Sequence, residues 1–171
     1  MKLLTIFIYL ITISLGHTGE KPDIKNLILT KNLKTYKNVI FKDARQKDVN
    51  LNDYKEKLLI LNFWATWCAP CKEEMPSLDN LQVNIDLDNL KIFPINIGQD
   101  DLSKSEEFFK ELDIKYLDIY FDSTVTLAKK FKLRGVPTTI LFNKEGQEFA
   151  RILGSIDFSN EEFIKWLEQY N

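Results

Sequence analysis

The chain alternates short apolar runs with polar segments, and the spacing of the apolar positions changes from one run to the next. The segment NVIFKDARQKDVNL predicts two brief strands around a polar turn. The next run, KLLILNFWA, is continuously apolar, which is typical of a central strand buried on both faces. It ends just before Cys68, so this cysteine is predicted to follow a buried strand directly.

A helical pattern replaces the strand pattern after the cysteine. From Pro70 onward, apolar residues recur at three- and four-residue steps, at Met75, Leu78, Leu81 and Ile85. Proline is tolerated in the first turn of a helix, so Pro70 fits a helix start. Pro76 falls inside the predicted helix and is expected to kink it.

The second half of the chain continues the alternation of strands and helices. The predicted elements, in chain order, are a strand at NLKIFPINIG, a helix at SKSEEFFKEL, a strand at YLDIYF, a helix at STVTLAKKFKL, a hairpin at RGVPTTILFNKEGQEFARILG and a helix at SNEEFIKWLEQY. Ser103 with Glu106, and Ser159 with Glu162, have the spacing of capping boxes.

This order of elements predicts an α/β fold with a central mixed sheet and helices on both faces. Strands joined by helices are expected to run parallel, and the antiparallel hairpin is expected to form one edge. The last helix carries an apolar stripe at helical spacing, which predicts core packing rather than a ligand surface: Phe163, Trp166, Leu167 and Tyr170.

The N-terminus opens with Lys2 and an almost purely apolar run from Leu3 to Leu15. As a helix the run covers roughly 20 Å, less than the ~30 Å of a bilayer core, so we interpret residues 1–16 as a signal peptide or N-terminal anchor. A buried N-terminal strand is the alternative. Residues 17–37 are predicted to be a polar linker and residues 38–171 the folded domain. The protein is therefore expected outside the cytoplasm, in the periplasm or on the outer face of the inner membrane.

Composition limits the range of functions. A chain of 171 residues with 44% apolar residues has room for one domain with a sizeable core. The net charge of −2, with both signs mixed along the chain, argues against a nucleic-acid partner. His17 is the single histidine, lies beside the expected cleavage site, and is not expected to do chemistry.

The chemistry centres on two cysteines, Cys68 and Cys71, at the junction of a buried strand and a helix. Helix N-termini stabilise thiolates, and cysteine pKa values in such motifs fall to about 3.5–7.5. We expect Cys68 to be the exposed nucleophile and Cys71, one turn into the helix, to be the shielded resolving cysteine. A disulfide that closes so short a loop constrains the unfolded chain little, so a purely structural role is disfavoured.

A metal site is the competing interpretation of the pair. Two thiolates supply half of a tetrahedral zinc shell, and no second cysteine pair or downstream histidine completes it. Copper(I) accepts fewer ligands and stays open as an alternative. We expect no resident metal, and no cofactor other than a redox-active disulfide between Cys68 and Cys71.

FWATWCAPCKEEMPSL, together with RGVPTTILF, resembles the thioredoxin superfamily. More narrowly, the chain is similar to the TlpA/ResA/CcmG-like exported thiol–disulfide oxidoreductases from Asn38 to its end. The WCxPC core, Pro76, the GVPT segment and Gly154 carry the resemblance at matched positions. It implies a thioredoxin-like fold with an additional αβ insertion in the middle of the domain.

The resemblance also implies how substrate is bound. The Val136–Pro137 peptide bond is expected to be cis, and the backbone near Val136 is expected to pair with an extended substrate segment lying across Cys68. Trp67 is expected to wall the site, although simple packing accounts for it nearly as well. The insertion, Asp100 to Phe121, is the expected source of partner specificity.

One departure from cytosolic thioredoxins concerns the proton acceptor. Those proteins carry a buried aspartate six residues before the first cysteine, and here that position is Asn62, which cannot accept a proton. The similar exported proteins carry a glutamate six residues after the first cysteine, here Glu74. Cys71 and Glu74 share a helix face, so we predict that Glu74 is a partly buried proton acceptor with a raised pKa. The alternative is a solvated glutamate like Glu73.

The resemblance favours an enzyme that reduces disulfides in partner proteins. The implied partners are apo-cytochrome c or a copper-site assembly protein as substrate and a membrane thiol donor as the electron source, with the enzyme acting as a monomer. Two alternatives stay open: an oxidase or isomerase that installs or rearranges disulfides, and a copper(I)-binding assembly factor.

Overall fold

The computed structural model describes residues 21–122 and 124–171. Within these ranges the chain forms, in order, β1 (Leu27–Thr35), β2 (Ile40–Asp43), β3 (Asp48–Asn50), a short 3-10 helix (Leu51–Tyr54), β4 (Leu58–Trp64), α1 (Ala69–Gln82), β5 (Leu90–Asn96), α2 (Leu102–Glu111), β6 (Tyr120–Phe121), α3 (Thr126–Lys130), β7 (Thr138–Phe142), β8 (Gln147–Leu153) and α4 (Glu161–Glu168). The predicted signal peptide or anchor at residues 1–16, and His17, lie outside the described residues.

The described strands form a single mixed sheet in the order β1-β8-β7-β4-β5-β6-β2-β3. β4, β5 and β6 are parallel, as expected for strands joined by helices. β7 pairs antiparallel with both β4 and β8. The predicted α/β class and mixed sheet are confirmed.

The first strand corrects two predictions. Residues 17–37 were expected to be a linker, but Leu27–Thr35 forms β1, which pairs antiparallel with β8. The hairpin β7–β8 is therefore covered on its outer side and does not form the edge of the sheet. The sequence pattern did not predict β1 because it is an edge strand in which only Leu27 is buried. Its register with β8 also shifts between Leu29 and Lys34.

Two apolar cores lie on opposite faces of the sheet. β4 shows the division, because Ile60 and Trp64 belong to the core that contains the apolar residues of α1, α2 and α4, whereas Leu61 and Phe63 belong to the core beneath α3. Alternation along the strand places Asn62 on the same face as Ile60 and Trp64. Asn62 thus lies beneath α1, the helix that carries the cysteines.

The helix starts differ from the predicted capping boxes. The α2 cap is Asp101 rather than Ser103, and its carboxylate accepts the backbone N–H of Lys104 at 2.9 Å. The α4 cap is Asn160 rather than Ser159, with the same type of hydrogen bond. Both helices use the side chain that directly precedes the first helical residue, which is the geometry a cap requires.

Two apolar segments are also less regular than predicted. Ile85 was placed on the buried face of the first helix, but α1 ends at Gln82 and Ile85 is 90% exposed. Only Tyr120–Phe121 of YLDIYF forms a strand. The expected position of Pro76 inside α1 is confirmed.

Candidate active site

The two cysteines lie where the chain passes from β4 into α1. A turn spans Ala65 to Cys68 and is closed by a hydrogen bond from the Cys68 N–H to the Ala65 carbonyl at 3.2 Å. Cys68 occupies the N-cap of α1, and the Cys71 N–H donates to its sulfur at 3.2 Å. A disulfide joins Cys68 to Cys71, so the structure represents the oxidised form.

As predicted, Cys68 is more exposed than Cys71, but Cys68 is less exposed than expected. Cys71 is completely buried, as expected for a resolving cysteine, and Cys68 is the more accessible of the two. However, Cys68 is only 4% exposed in the oxidised form, so the expectation of an openly exposed sulfur is wrong for this state. In this form Cys68 belongs to the same buried core as Cys71 and Trp64.

The predicted cis peptide bond between Val136 and Pro137 is confirmed. Thr138, the first residue of β7, pairs with Phe63 near the end of β4. Pro137 therefore lies at the same end of the sheet as the turn that carries Cys68. The Pro137 carbonyl accepts the Gly154 N–H at 2.9 Å, which fixes this segment from its other side.

Trp67 stands next to Cys68 in the turn and is 71% exposed. The other two tryptophans, Trp64 and Trp166, are buried. An aromatic side chain that projects this far into solvent beside a reactive pair is more typical of a contact surface than of the core. Its role as a wall of the substrate site stays a prediction.

Glu74 is buried one turn beyond Cys71. Its side chain is 2% exposed, and its Oε1 accepts a hydrogen bond from Asn62 Nδ2 at 2.7 Å. Its Oε2 is 3.4 Å from the backbone N–H of Ile156. Glu73, in contrast, is exposed, so interpreting Glu74 as a solvated surface carboxylate is wrong.

Burial makes the Glu74 carboxyl a weaker acid than an ordinary glutamate. Removal from water raises the pKa of the Glu74 carboxyl from 4.5 to about 7, although the hydrogen bonds from Asn62 and from the Ile156 N–H act in the opposite direction. A carboxyl group with this pKa exchanges its proton near neutral pH. The predicted burial and raised pKa are thus both present, whereas the role in proton transfer is a separate question.

Thr139 completes this buried polar group, and no pattern in the sequence pointed to it. Thr139 is directly opposite Asn62 in the β4–β7 pairing, and its Oγ1 accepts a second hydrogen bond from Asn62 Nδ2 at 3.0 Å. Asn62 Oδ1 is buried without a hydrogen-bond partner in the described part of the protein. The register of two strands far apart in sequence brings these residues together, which a spacing rule along one segment does not reveal.

The insertion from Asp100 to Phe121 contains α2 and β6, and β6 lies between β5 and β2 in the sheet. Buried Asp79 on α1 fixes the loop after α2 by accepting the backbone N–H groups of Lys115, Tyr116 and Leu117 at 2.8–3.0 Å. The inserted unit is therefore attached to the helix that carries the cysteines. Its role in choosing partners stays a prediction.

The described ranges contain no group of three or more histidine, cysteine, aspartate or glutamate side chains arranged to hold a metal ion. No helix among the residues the structure describes is long and apolar enough to cross a bilayer.

Comparison with known proteins shows the family to which the chain belongs. A model of the AhpC/TSA family matches residues 33–147. The thiol-disulfide oxidoreductase ResA of Geobacillus kaustophilus is 30% identical over 129 residues, which cover 75% of this chain and 72% of that protein. StoA from Bacillus subtilis is 26% identical, with a TM-score of 0.62, over 74% of this chain and 93% of that chain.

A more distant solved structure supports the fold alone. A secreted thiol-disulfide isomerase from Corynebacterium glutamicum matches with a TM-score of 0.71 over 90% of this chain and 97% of that chain, at 20% identity. The chain therefore belongs to the AhpC/TSA family and is a thioredoxin-like thiol–disulfide oxidoreductase that uses a CxxC pair.

Proposed function

We propose that this protein is an exported reductant of disulfides in partner proteins. The observation that carries the proposed thiol chemistry is the buried carboxyl of Glu74, with a pKa of about 7, at the third position after Cys71 on α1. The reducing direction and the export rest on the resemblance to the TlpA/ResA/CcmG-like proteins. A resolving cysteine that is completely buried has to lose its proton inside the protein. Glu74 lies one helical turn beyond Cys71 and has a pKa of about 7, and it is the proposed acceptor of that proton.

The reaction begins with the reduced enzyme. The Cys68 thiolate attacks one sulfur of the partner's disulfide, forming a mixed disulfide and releasing the other partner sulfur as a thiolate, which takes a proton from solvent. Glu74 then accepts the proton of the Cys71 thiol. The Cys71 thiolate attacks Cys68, the second partner sulfur leaves as a thiolate that takes up a proton from solvent, and the enzyme disulfide closes. Glu74 then returns its proton to solvent.

Electrons and protons balance over this cycle. The partner's disulfide gains two electrons and two protons. The sulfurs of Cys68 and Cys71 supply the electrons, and the protons that these two cysteines lose are exchanged with the partner through solvent. A thiol donor, proposed to be a membrane protein, reduces the Cys68–Cys71 disulfide and restores the starting state. The preference for this direction over disulfide formation comes from the resemblance to the TlpA/ResA/CcmG-like proteins.

We further propose that the substrate lies across the surface formed by Trp67, Val136 and Pro137. Trp67 offers an exposed aromatic face next to Cys68, and the Val136–Pro137 segment lies at the same end of the sheet. An extended peptide is proposed to pair with the backbone near Val136 as an added strand. The proposed substrates are apo-cytochrome c or a copper-site assembly protein, and the proposed compartment is outside the cytoplasm.

Partner trapping tests the direction and the substrate together. A Cys71→Ser variant, expressed in its native envelope, is expected to retain partners as mixed disulfides on Cys68, while Cys68→Ser serves as the control that retains none. Adducts with apo-cytochrome c or a copper-site protein are the expected result. Adducts with many unrelated secreted proteins would indicate an oxidase or isomerase instead. Absence of adducts, combined with tight copper(I) binding by the wild type, would refute the redox function.

The role of Glu74 is tested by the pH dependence of the resolving step. Mixed disulfide with a labelled peptide is formed on Cys68, and the rate at which Cys71 releases the peptide is followed from pH 5 to pH 9. Glu74→Gln is expected to slow release and to change its pH profile, whereas Glu73→Gln, an exposed neighbour on the same helix, is expected to match the wild type. Identical profiles for Glu74→Gln and wild type would refute the assignment.

A further inference from the structure

The turn that carries Cys68 is held from outside by a carboxylate of the insertion. The Thr66 N–H, two residues before Cys68, donates to Asp100 Oδ2 at 3.3 Å. The strand before the turn is tied to the same segment, because the Ile97 N–H donates to the Trp64 carbonyl at 3.0 Å. The position of the turn therefore depends on the segment from Ile97 to Asp100.

Asp100 is itself held in place by hydrogen bonds to residues other than those of the turn. The buried side chain of Asn96, at the end of β5, donates to Asp100 Oδ2 at 3.1 Å and to Ser105 Oγ on α2 at 3.2 Å. The Gly98 N–H donates to Asn96 Oδ1 at 2.7 Å. An acceptor whose own geometry is fixed by neighbouring hydrogen bonds holds its donor more accurately than a free side chain does.

Gly98 brings the segment into close contact with the turn. A Cβ at this position would lie 2.8 Å from Ala65 Cβ, 2.7 Å from Asp100 Oδ2 and 3.2 Å from Trp67 Nε1. The first two distances are too short for any side chain. Its φ angle lies outside the left-handed region, so the glycine is required for space rather than for its backbone conformation.

We propose that Asp100 is a positioning residue for the thiol–disulfide reaction, which fixes the turn from Ala65 to Cys68, and that Gly98 provides the close contact against which Trp67 and Ala65 pack. The inference rests on the proposed assignment of Cys68 as the attacking cysteine. The insertion thereby determines the position of the reacting sulfur through the turn, in addition to any contact it makes with a partner. Small displacements of a reacting group are costly, since about 1 Å can reduce a rate by as much as about a hundredfold.

The tryptophan distribution provides a direct readout of the turn. Of the three tryptophans in the sequence, Trp64 and Trp166 are buried and Trp67 is 71% exposed. Iodide quenching of fluorescence therefore reports on Trp67 selectively. Quenching is measured on the full-length oxidised protein, and reduced enzyme is then reacted with a small aromatic disulfide and with a disulfide-bonded protein.

Asp100→Ala is expected to raise the quenching constant and to slow both reactions by about tenfold, as expected for a misplaced reacting group. Asp100→Asn retains an oxygen acceptor for the Thr66 N–H and is expected to stay within about twofold of the wild type. Gly98→Ala is expected to reproduce the effects of Asp100→Ala by forcing the segment away from the turn. It also serves as the second test if Asp100→Ala does not fold.

Asp101→Ala is the matched control. It removes the same charge from the adjacent residue and breaks the α2 cap hydrogen bond to Lys104, but Asp101 makes no hydrogen bond to the turn. It is expected to lower stability and leave both rates and the quenching unchanged. Wild-type rates and quenching in both Asp100→Ala and Gly98→Ala would overturn the inference, as would an equal loss of rate in Asp101→Ala. Slowing of the protein disulfide alone would also overturn it, because that result indicates partner docking.

Failure of this inference is distinguishable from failure of the proposed function. A Cys68→Ser variant that still opens disulfides would remove the assignment of the attacking cysteine, whatever Asp100 does. If Cys68→Ser is inactive and the Asp100 variants behave like the wild type, only the positioning role is lost.

Discussion

Glu74 makes the stability of the oxidised protein depend on pH, and replacing it with glutamine should remove that dependence. A carboxyl group whose pKa is higher in the folded protein than in the unfolded chain binds more protons in the folded state, so raising the pH lowers the free energy of unfolding. For Glu74 the two values are about 7 and 4.5. Below about pH 4.5 the group is protonated in both states and contributes no pH dependence, and the loss develops between about pH 4.5 and about pH 7.

The size of the effect follows from the same displacement. One pH unit of pKa difference corresponds to about 1.4 kcal/mol, so the wild type is expected to lose about 3 kcal/mol of stability across this interval relative to Glu74→Gln. Glutamine keeps an oxygen that accepts the hydrogen bond from Asn62 and carries no charge at any pH. The pH-dependent part of the difference between the two proteins therefore isolates the carboxylate.

The measurement is urea unfolding of both oxidised proteins at half-unit steps from pH 4 to pH 8. The disulfide removes the thiols from the titration, because Cys68 and Cys71 are bonded to each other. Glu73→Gln, altered at an exposed position, controls for the loss of one charge from α1. Parallel curves of unfolding free energy against pH for the wild type and Glu74→Gln, between pH 4.5 and pH 7.5, would show that folding does not raise the pKa of Glu74.

Urea unfolding at pH 7 of variants at three further positions, Glu148, Asp79 and Trp67, tests other contacts of the domain. Glu148→Ala removes the buried carboxylate that Arg151 contacts at 2.7 and 2.8 Å, and a loss of about 3 kcal/mol is expected, at the lower end for a buried pair because Arg151 is partly exposed. A loss under about 1 kcal/mol would indicate that the pair behaves as a surface ion pair. Asp79→Ala leaves three backbone N–H groups without their acceptor and should lower the free energy of unfolding by about 2–4 kcal/mol, and Asp79→Asn should lower it by less. Wild-type stability in both variants would argue against these hydrogen bonds. Trp67→Ala should change stability by no more than about 0.5 kcal/mol because the side chain is exposed. Relative to the wild type, the same variant should lose more of its rate with a protein disulfide than with a small one. An equal loss with both would exclude Trp67 as a wall of the substrate site.

The sequence determined the elements that place the cysteines. The continuous apolar run that forms β4, the helical spacing from Pro70 and the position of Cys68 between them were sufficient to predict a strand–turn–helix unit with a reactive pair at its corner. The hairpin around NKEG was also predictable, since its turn and its apolar flanks are neighbours in the chain. These features are local, because the residues that define them are separated by a few positions.

Tertiary structure decided what surrounds the pair. The sequence suggested a buried Glu74, but its contact with Asn62 and the addition of Thr139 depend on the β4–β7 register and on the packing of α1 against β4. Strand β1 was missed because an edge strand with one buried residue has no pattern of its own and is stabilised by its pairing with β8. The bond from Thr66 to Asp100 likewise joins residues 34 positions apart. Periodicity along a segment records which side chains are buried, whereas which buried groups meet is set by strand register and helix packing between distant segments.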